Sequence, residues 1–294
     1  MKKENFKPID SIIPPPPIHW VGDGFRVHNF FPGPQGLETR ISPFFLLDYN
    51  SKHLFLPSEK QRGVGVHPHR GFETVTIAYH GMVAHNDSTG NSGVIGEGDV
   101  QWMTAGSGIL HKEYHEKNFS KNGGIFQMVQ LWVNLPAKYK MTSPKYQPIL
   151  KSEMGNYKIP NNGGNVFVIA GNYLNVKGPA STFSPINLYN VVLKSGFSVD
   201  LSFPENYNTG FLIIDGEVNI NETEVVKENS YVLFKNSGND IKISAIKDCT
   251  VLVMNGEPIN EPLAYYGPFL MNTKEELQQA FEDYQNGLFG YLDD

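Results

Sequence analysis

Helical periodicity is almost absent between Phe25 and Val253, and that absence removes most fold classes at once. In its place stand short runs rich in Val, Ile, Phe and Tyr, broken every few residues by Gly, Asn, Asp or Pro. Thr74-Val75-Thr76-Ile77-Ala78-Tyr79 alternates, placing Val75, Ile77 and Tyr79 on one face. Gln130-Leu131-Trp132-Val133-Asn134-Leu135 alternates likewise, and Phe211-Leu212-Ile213-Ile214 reads as a short strand buried on both faces. Many short strands at this spacing predict an all-β chain built of sandwiches or barrels.

The exception is the C-terminus. Thr273-Lys274-Glu275-Glu276 has the pattern of a capping box, Leu277, Ala280, Phe281 and Tyr284 follow at helical spacing, and Gly287 supplies a stop. One amphipathic helix of about three turns is expected there. A length of 294 residues allows two domains, and a weak internal repeat supports them. In the first half a strand, His80-Gly81, a short strand and Gly96-Glu97-Gly98-Asp99 precede another strand. In the second, Phe211 to Ile214, Asp215-Gly216, a turn at Asn221-Glu222 and Ser230 to Phe234 repeat that design. The polar stretch Pro136 to Pro148 is the expected boundary, giving domains 1–136 and 137–294. Pro14-Pro15-Pro16-Pro17 reads as a stiff lead into the first domain.

Composition excludes several functions. A net charge of −6 with no Lys/Arg cluster offers no electrostatic footprint for direct nucleic-acid binding. The apolar runs, such as Val166 to Ala170, are far shorter than the roughly 18 residues that cross a bilayer. Met1-Lys2-Lys3 resembles the start of an export signal, but Glu4, Asn5, Lys7 and Asp10 follow instead of an apolar segment. A lone cysteine, Cys249, excludes an internal disulfide and reads as a small buried apolar residue. A cytoplasmic monomer is the expectation.

All nine histidines lie between His19 and His115, so the chemistry is expected in the first half. His67-Pro68-His69 puts two imidazoles at i and i+2, on one face of a strand, with the proline favouring a strand end or edge. His111 and Glu113 repeat the spacing. Two such pairs on neighbouring strands make a site of three imidazoles and one carboxylate, which suits Fe(II), Mn, Ni, Cu or Zn. Glu113 is preferred for the fourth position, but spacing leaves open Glu73, four residues after His69 on a continuous strand, and His115, which extends the series. His19, His28 and His53 read as loop or surface groups, whereas His80 and His85 flank a hairpin turn at the mouth of a pocket. Trp102, Met103 and Phe72 read as core residues, with lining of an apolar pocket as the alternative.

His67 to Val75 (HPHRGFETV), Gly98 to Glu113 (GDVQWMTAGSGILHKE), Gln130 to Leu135 (QLWVNL), Gly256-Glu257-Pro258 and Gly267 to Thr273 (GPFLMNT) resemble the pirin family. The likeness runs from about Phe44 to the C-terminal helix, and Trp20 to Phe25 is more similar to bacterial members. The resemblance implies two tandem cupin β-barrels, a bicupin, with a single metal, usually iron, in the N-terminal barrel alone. It places the metal ligands on His67, His69, His111 and Glu113. It also implies quercetin 2,3-dioxygenase-like cleavage of a flavonol or similar chelating aromatic by O2. Glu113 is the candidate base as well as ligand, because a monodentate carboxylate keeps one oxygen free. The alternative it carries is a non-enzymatic, redox-responsive iron protein that regulates through a protein partner.

Overall fold

The computed structural model describes residues 5–32 and 37–293; the basic start at Met1-Lys2-Lys3 lies outside them. In chain order the strands begin β1 (Ile9–Ile13), β2 (Ile18–Val21), β3 (Phe25–Phe31), β4 (Phe44–Phe55) and β5 (Gly63–His69). They continue as β6 (Phe72–His80), β7 (Val83–Asp87), β8 (Ser92–Ile95), β9 (Val100–Thr104) and β10 (Ile109–His115). After a short helix, α1 (Lys117–Asn122), come β11 (Gly124–Asn134), β12 (Lys145–Ile149), β13 (Gly155–Ile159), β14 (Gly164–Ala170) and the small ribbon β15 (Asn172–Tyr173) and β16 (Val176–Lys177). Then follow β17 (Ile186–Leu193), β18 (Ser198–Ser202), β19 (Asn208–Asp215), β20 (Glu217–Ile220), β21 (Glu224–Lys227) and β22 (Tyr231–Phe234). The chain ends with β23 (Asp240–Ala245), β24 (Cys249–Gly256), β25 (Ala264–Tyr266), β26 (Phe269–Met271) and the helix α2 (Lys274–Gln285).

These elements make two barrels of one design, each a seven-stranded antiparallel sheet beside a four-stranded one. The first has the order β12-β9-β6-β11-β4-β3-β2 beside β5-β10-β7-β8; the second has β1-β22-β19-β24-β17-β14-β13 beside β18-β23-β20-β21. Sequence position and barrel membership part company at the ends. One unit comprises Pro17–Gly36, Phe44–Lys151 and Ile259–Asp294, the other Met1–Pro16, Leu37–Pro43 and Ser152–Pro258. The observed change-over at Lys151/Ser152 therefore differs from the expected division at 136/137. The reason is edge pairing: β12 completes the first barrel by adding to β9, and β1 completes the second by adding to β22. The Pro14–Pro17 segment lies where the chain passes from one unit to the other.

The second barrel is filled by a continuous apolar core that includes Val199, Leu201, Phe211, Val232, Ile241, Ile243 and Val253. Phe211 to Ile214 is buried on both faces, as its unbroken apolar run predicts, and Cys249 is buried in the same core. The terminal helix also forms as predicted. Thr273 Oγ1 accepts from the Glu276 amide, and Glu276 Oε2 accepts from the Thr273 amide, closing the capping box. Its inner face places Ala280, Leu277 and Phe281 against Phe269 and Phe289.

One corner of the first barrel departs from the sequence reading. The strand predicted to run on from His69 to Glu73 is broken at Arg70-Gly71, separating β5 from β6. Gly71 has φ +88°, and a Cβ there would come within 2.1 Å of the Leu270 carbonyl oxygen, so only glycine fits. Arg70 is buried: its guanidinium donates to Ser107 O at 2.7 Å, pairs with Asp283 of α2 at 2.8 Å and lies over the Phe289 ring. Lys140 secures the same corner, its buried Nζ donating to Gly71 O, Asn134 Oδ1 and Leu270 O at 2.7–2.8 Å. An unpartnered buried oxygen costs about 1–3 kcal/mol, and this one ammonium satisfies three of them. Lys140→Met is therefore expected to lower the unfolding free energy by about 3 kcal/mol in urea titration, and a loss below about 1 kcal/mol would show that water replaces the ammonium.

Candidate metal centre

The two i, i+2 pairs meet because β5 and β10 are antiparallel neighbours, with His67 opposite His111 and His69 opposite Ile109. A bulge in β5 between His67 and Val64 shifts the register at Glu113. The rings of His67, His69 and His111 pack with centroids 4.2–4.9 Å apart, and their ligand atoms lie within 4.8 Å of one another. Glu113 joins His111 and His85 in a second such group.

Each imidazole has one nitrogen engaged away from the centre. His67 Nδ1 donates to Gly65 O at 2.8 Å and His69 Nδ1 donates weakly to Pro268 O at 3.4 Å, because a carbonyl can only accept. His111 Nδ1 lies 3.5 Å from His85 Nδ1, and the other His85 nitrogen, Nε2, lies 3.3 Å from Asp87 Oδ2. Burial opposes the charge on Asp87, but hydrogen bonds from His85, Thr89 and Asn91 outweigh it and hold the carboxyl down at about 2. An ionised Asp87 can only accept, so His85 Nε2 donates to it, which leaves His85 Nδ1 to accept from His111 Nδ1 and turns the lone pair of His111 to Nε2. That atom, His111 Nε2, is buried without a partner. Burial first, then the neighbouring imidazoles, push His111 and His69 well below the usual histidine range, so both rings are neutral.

Glu113 is held from the opposite sheet. Its Oε1 accepts from Gln101 Nε2 at 2.7 Å and Thr76 Oγ1 at 3.1 Å, and Oε2 accepts from Gln130 Nε2 at 2.6 Å. Those donors stand on β9, β6 and β11 at one register level, Gln130 opposite Thr76 and Thr76 opposite Gln101. Beside Glu113 and His67 lies a cavity of about 40 Å³, walled by Val21, Phe25, Val64 and Met128.

The other sequence candidates fall elsewhere. Glu73 alternates to the face of β6 opposite Thr76, where Thr104 Oγ1 donates to it and burial raises its carboxyl to about 7. His115 shares a face with Glu113 but packs among Phe25, Phe55, Phe119 and Phe126, with Nε2 donating to Gly24 O. His85 is buried against His111 and stacked on Tyr146, not placed at a pocket mouth, whereas His80 lies near the surface beside Glu97. His28 is a buried strand residue of β3, and not a surface group. Trp102 and Met103 are core, and Phe72 forms an aromatic backing with Trp132 behind His69. Sequence reasoning missed Gln101, Gln130, Thr76 and Asp87, which carry no spacing signal of their own.

Comparison with known proteins bears on the family and the fold. The sequence model of the Pirin family matches residues 24–133, and that of the Pirin C-terminal cupin domain matches residues 188–290. A Pseudomonas aeruginosa protein named "Putative quercetin 2,3-dioxygenase PA2418" is 47% identical over 92% of this chain and 94% of its own length. The crystal structure of a quercetin 2,3-dioxygenase from Acinetobacter baumannii superposes with a TM-score of 0.93 and 44% identity, covering 98% of this chain and all of that one. The bacterial pirin YhhW of Escherichia coli, solved with nickel(II), shares the fold at TM-score 0.66 and 18% identity, covering 84% of this chain and 99% of that one. The chain is a bicupin and belongs to the pirin family.

Proposed function

We propose that this chain holds one divalent transition metal through His67, His69, His111 and Glu113, and uses it to cleave a flavonol or similar chelating aromatic with O2, as a quercetin 2,3-dioxygenase does. The observation that carries the reading is the convergence of three imidazoles whose Nδ1 atoms are engaged elsewhere, with the buried His111 Nε2 left unpartnered. A ring nitrogen buried in that way costs free energy that a metal bond offsets. Three imidazoles and a carboxylate suit Fe(II), with Mn, Ni, Cu and Zn as alternatives; nickel(II) is the ion in the E. coli relative. When bound, the metal supplies a Lewis acid that polarises a substrate oxygen.

The chain's own groups do the rest. Thr76, Gln101 and Gln130 fix both oxygens of Glu113, and the Asp87–His85 pair fixes the ring of His111. Val21, Phe25, Val64 and Met128 form the apolar part of the wall around the space beside Glu113, and Asp48, His67 and Gln130 form its polar part. About 40 Å³ admits a water or a dioxygen molecule but no flavonol, so a ring system enters by displacing part of that wall.

Protein loaded separately with Fe(II), Mn, Ni and Cu is expected to bleach the long-wavelength absorption of quercetin, with matching consumption of O2 and release of carbon monoxide. Absence of turnover with all four metals would overturn the dioxygenase reading, and metal retained without turnover would favour the regulatory one. Elemental analysis is expected to give one metal per chain in the wild type and none after His67→Ala with His111→Ala. Asp87→Asn is expected to weaken the metal about 10–100-fold in chelator competition, since His85 then loses the partner that sets its tautomer. An unchanged affinity would mean that the pair does not orient His111.

A further inference from the structure

A flavonol hydroxyl that chelates a metal gives up its proton, and Glu113 is poorly placed to take it. Three donors already occupy its two oxygens, and the proposed metal bond uses a further lone pair. The same cavity presents a second carboxyl. Asp48 on β4 stands opposite Gln130 in the register of β4 and β11, and lines the cavity together with His67 and Glu113. Its Oδ1 accepts from Asn29 Nδ2 at 2.8 Å, and among the described residues no hydrogen bond reaches Oδ2. The residue is partly buried and contributes to the wall of the cavity beside Glu113.

On the reading of function given above, we propose that Asp48 is the catalytic base that takes the proton from the acidic hydroxyl of the chelating substrate. The substrate O–H bond breaks, its electron pair stays on the substrate oxygen, and the proton bonds to Asp48 Oδ2, so no oxidant or reductant enters the step. The electrostatic setting suits that task. Burial raises the Asp48 carboxyl to about 6 against the opposing effects of the Asn29 hydrogen bond and His19, which poises it near neutrality. The titratable groups that face it are His19 from β2 and, across the cavity, His67 from β5 and Glu113 from β10. From β3 it meets the amide of Asn29 and from β11 that of Gln130, while Arg26 and His28 alternate to the other face of β3. Nothing else that lines the cavity is ionisable.

Asp48→Asn keeps an acceptor for Asn29 and separates the two carboxyl roles. The variant is expected to retain one metal per chain and to lose about 10²-fold in kcat on quercetin with little change in KM. The acidic limb near pH 6 in the wild-type rate profile is expected to disappear with it. Under anaerobic conditions at pH 8, the wild type is expected to bind quercetin as its anion, seen as a red-shifted absorption band, and the variant to bind it with the proton in place. Stability gives a check on folding. A carboxyl raised from 3.8 to about 6 on folding contributes stability below pH 3.8 that is lost as the pH rises through 6. The variant is therefore expected to unfold at a temperature equal to or above that of the wild type at pH 8. Wild-type rates, an unchanged pH profile and an unchanged anaerobic band in the variant would overturn the role of Asp48 and leave the dioxygenase reading intact. Failure of the wild type to bind or turn over quercetin with any metal would overturn both.

Discussion

Three side-chain donors on one register level of a β-sheet converge on a single carboxylate of the facing sheet, and the arrangement of the first barrel depends on it. Asn29, Asp48, Gln130, Thr76 and Gln101 stand side by side across β3, β4, β11, β6 and β9. A polar row through the inner face of a barrel is costly unless every group finds a partner. Glu113 supplies the acceptor for three of them, and Asp48 accepts from Asn29. The row therefore fixes the carboxylate, and through β10 it fixes His111 two residues away. From there the constraint passes along β10 to His67 on one side and to His85 and Asp87 on the other.

What could be read from the sequence follows from how local each signal is. The i, i+2 spacing of His67/His69 and of His111/Glu113 is a property of one strand, so it was visible without any knowledge of pairing. The capping box at Thr273 and the unbroken run at Phe211 are local in the same sense. His85 and Gln101 acquire their roles through cross-strand register, which no single run of residues encodes. Glu73 misled for a related reason. Its distance from His69 assumes a continuous strand, whereas the turn at Arg70-Gly71 is held by Lys140, Asp283 and Leu270, which lie far along the chain. The domain division failed at the edges alone, where β1 pairs with a strand more than two hundred residues later.

The second barrel shows what the polar row is not needed for. Its sheets have the same order, so the β18–β23 pair there corresponds to β5–β10, which carries the imidazoles. Facing inward on that pair are Val199 and Leu201 opposite Ile243 and Ile241, in the places held by His67, His69, His111 and their neighbours in the first barrel. The corresponding inner face of the large sheet offers Val232, Phe211 and Val253 in place of amides and a hydroxyl. An apolar filling of that kind closes a barrel of this design by burial alone, at roughly 25 cal/mol per Å² of apolar surface. The buried histidines and carboxyls of the first barrel are thus a departure from what the architecture requires. Burial raises Asp48 and Glu73 and holds His69 and His111 neutral, each at some cost to folding. A cluster that the fold could replace with valine and isoleucine, and that leaves His111 Nε2 buried without a partner, is the departure that the proposed metal site would account for.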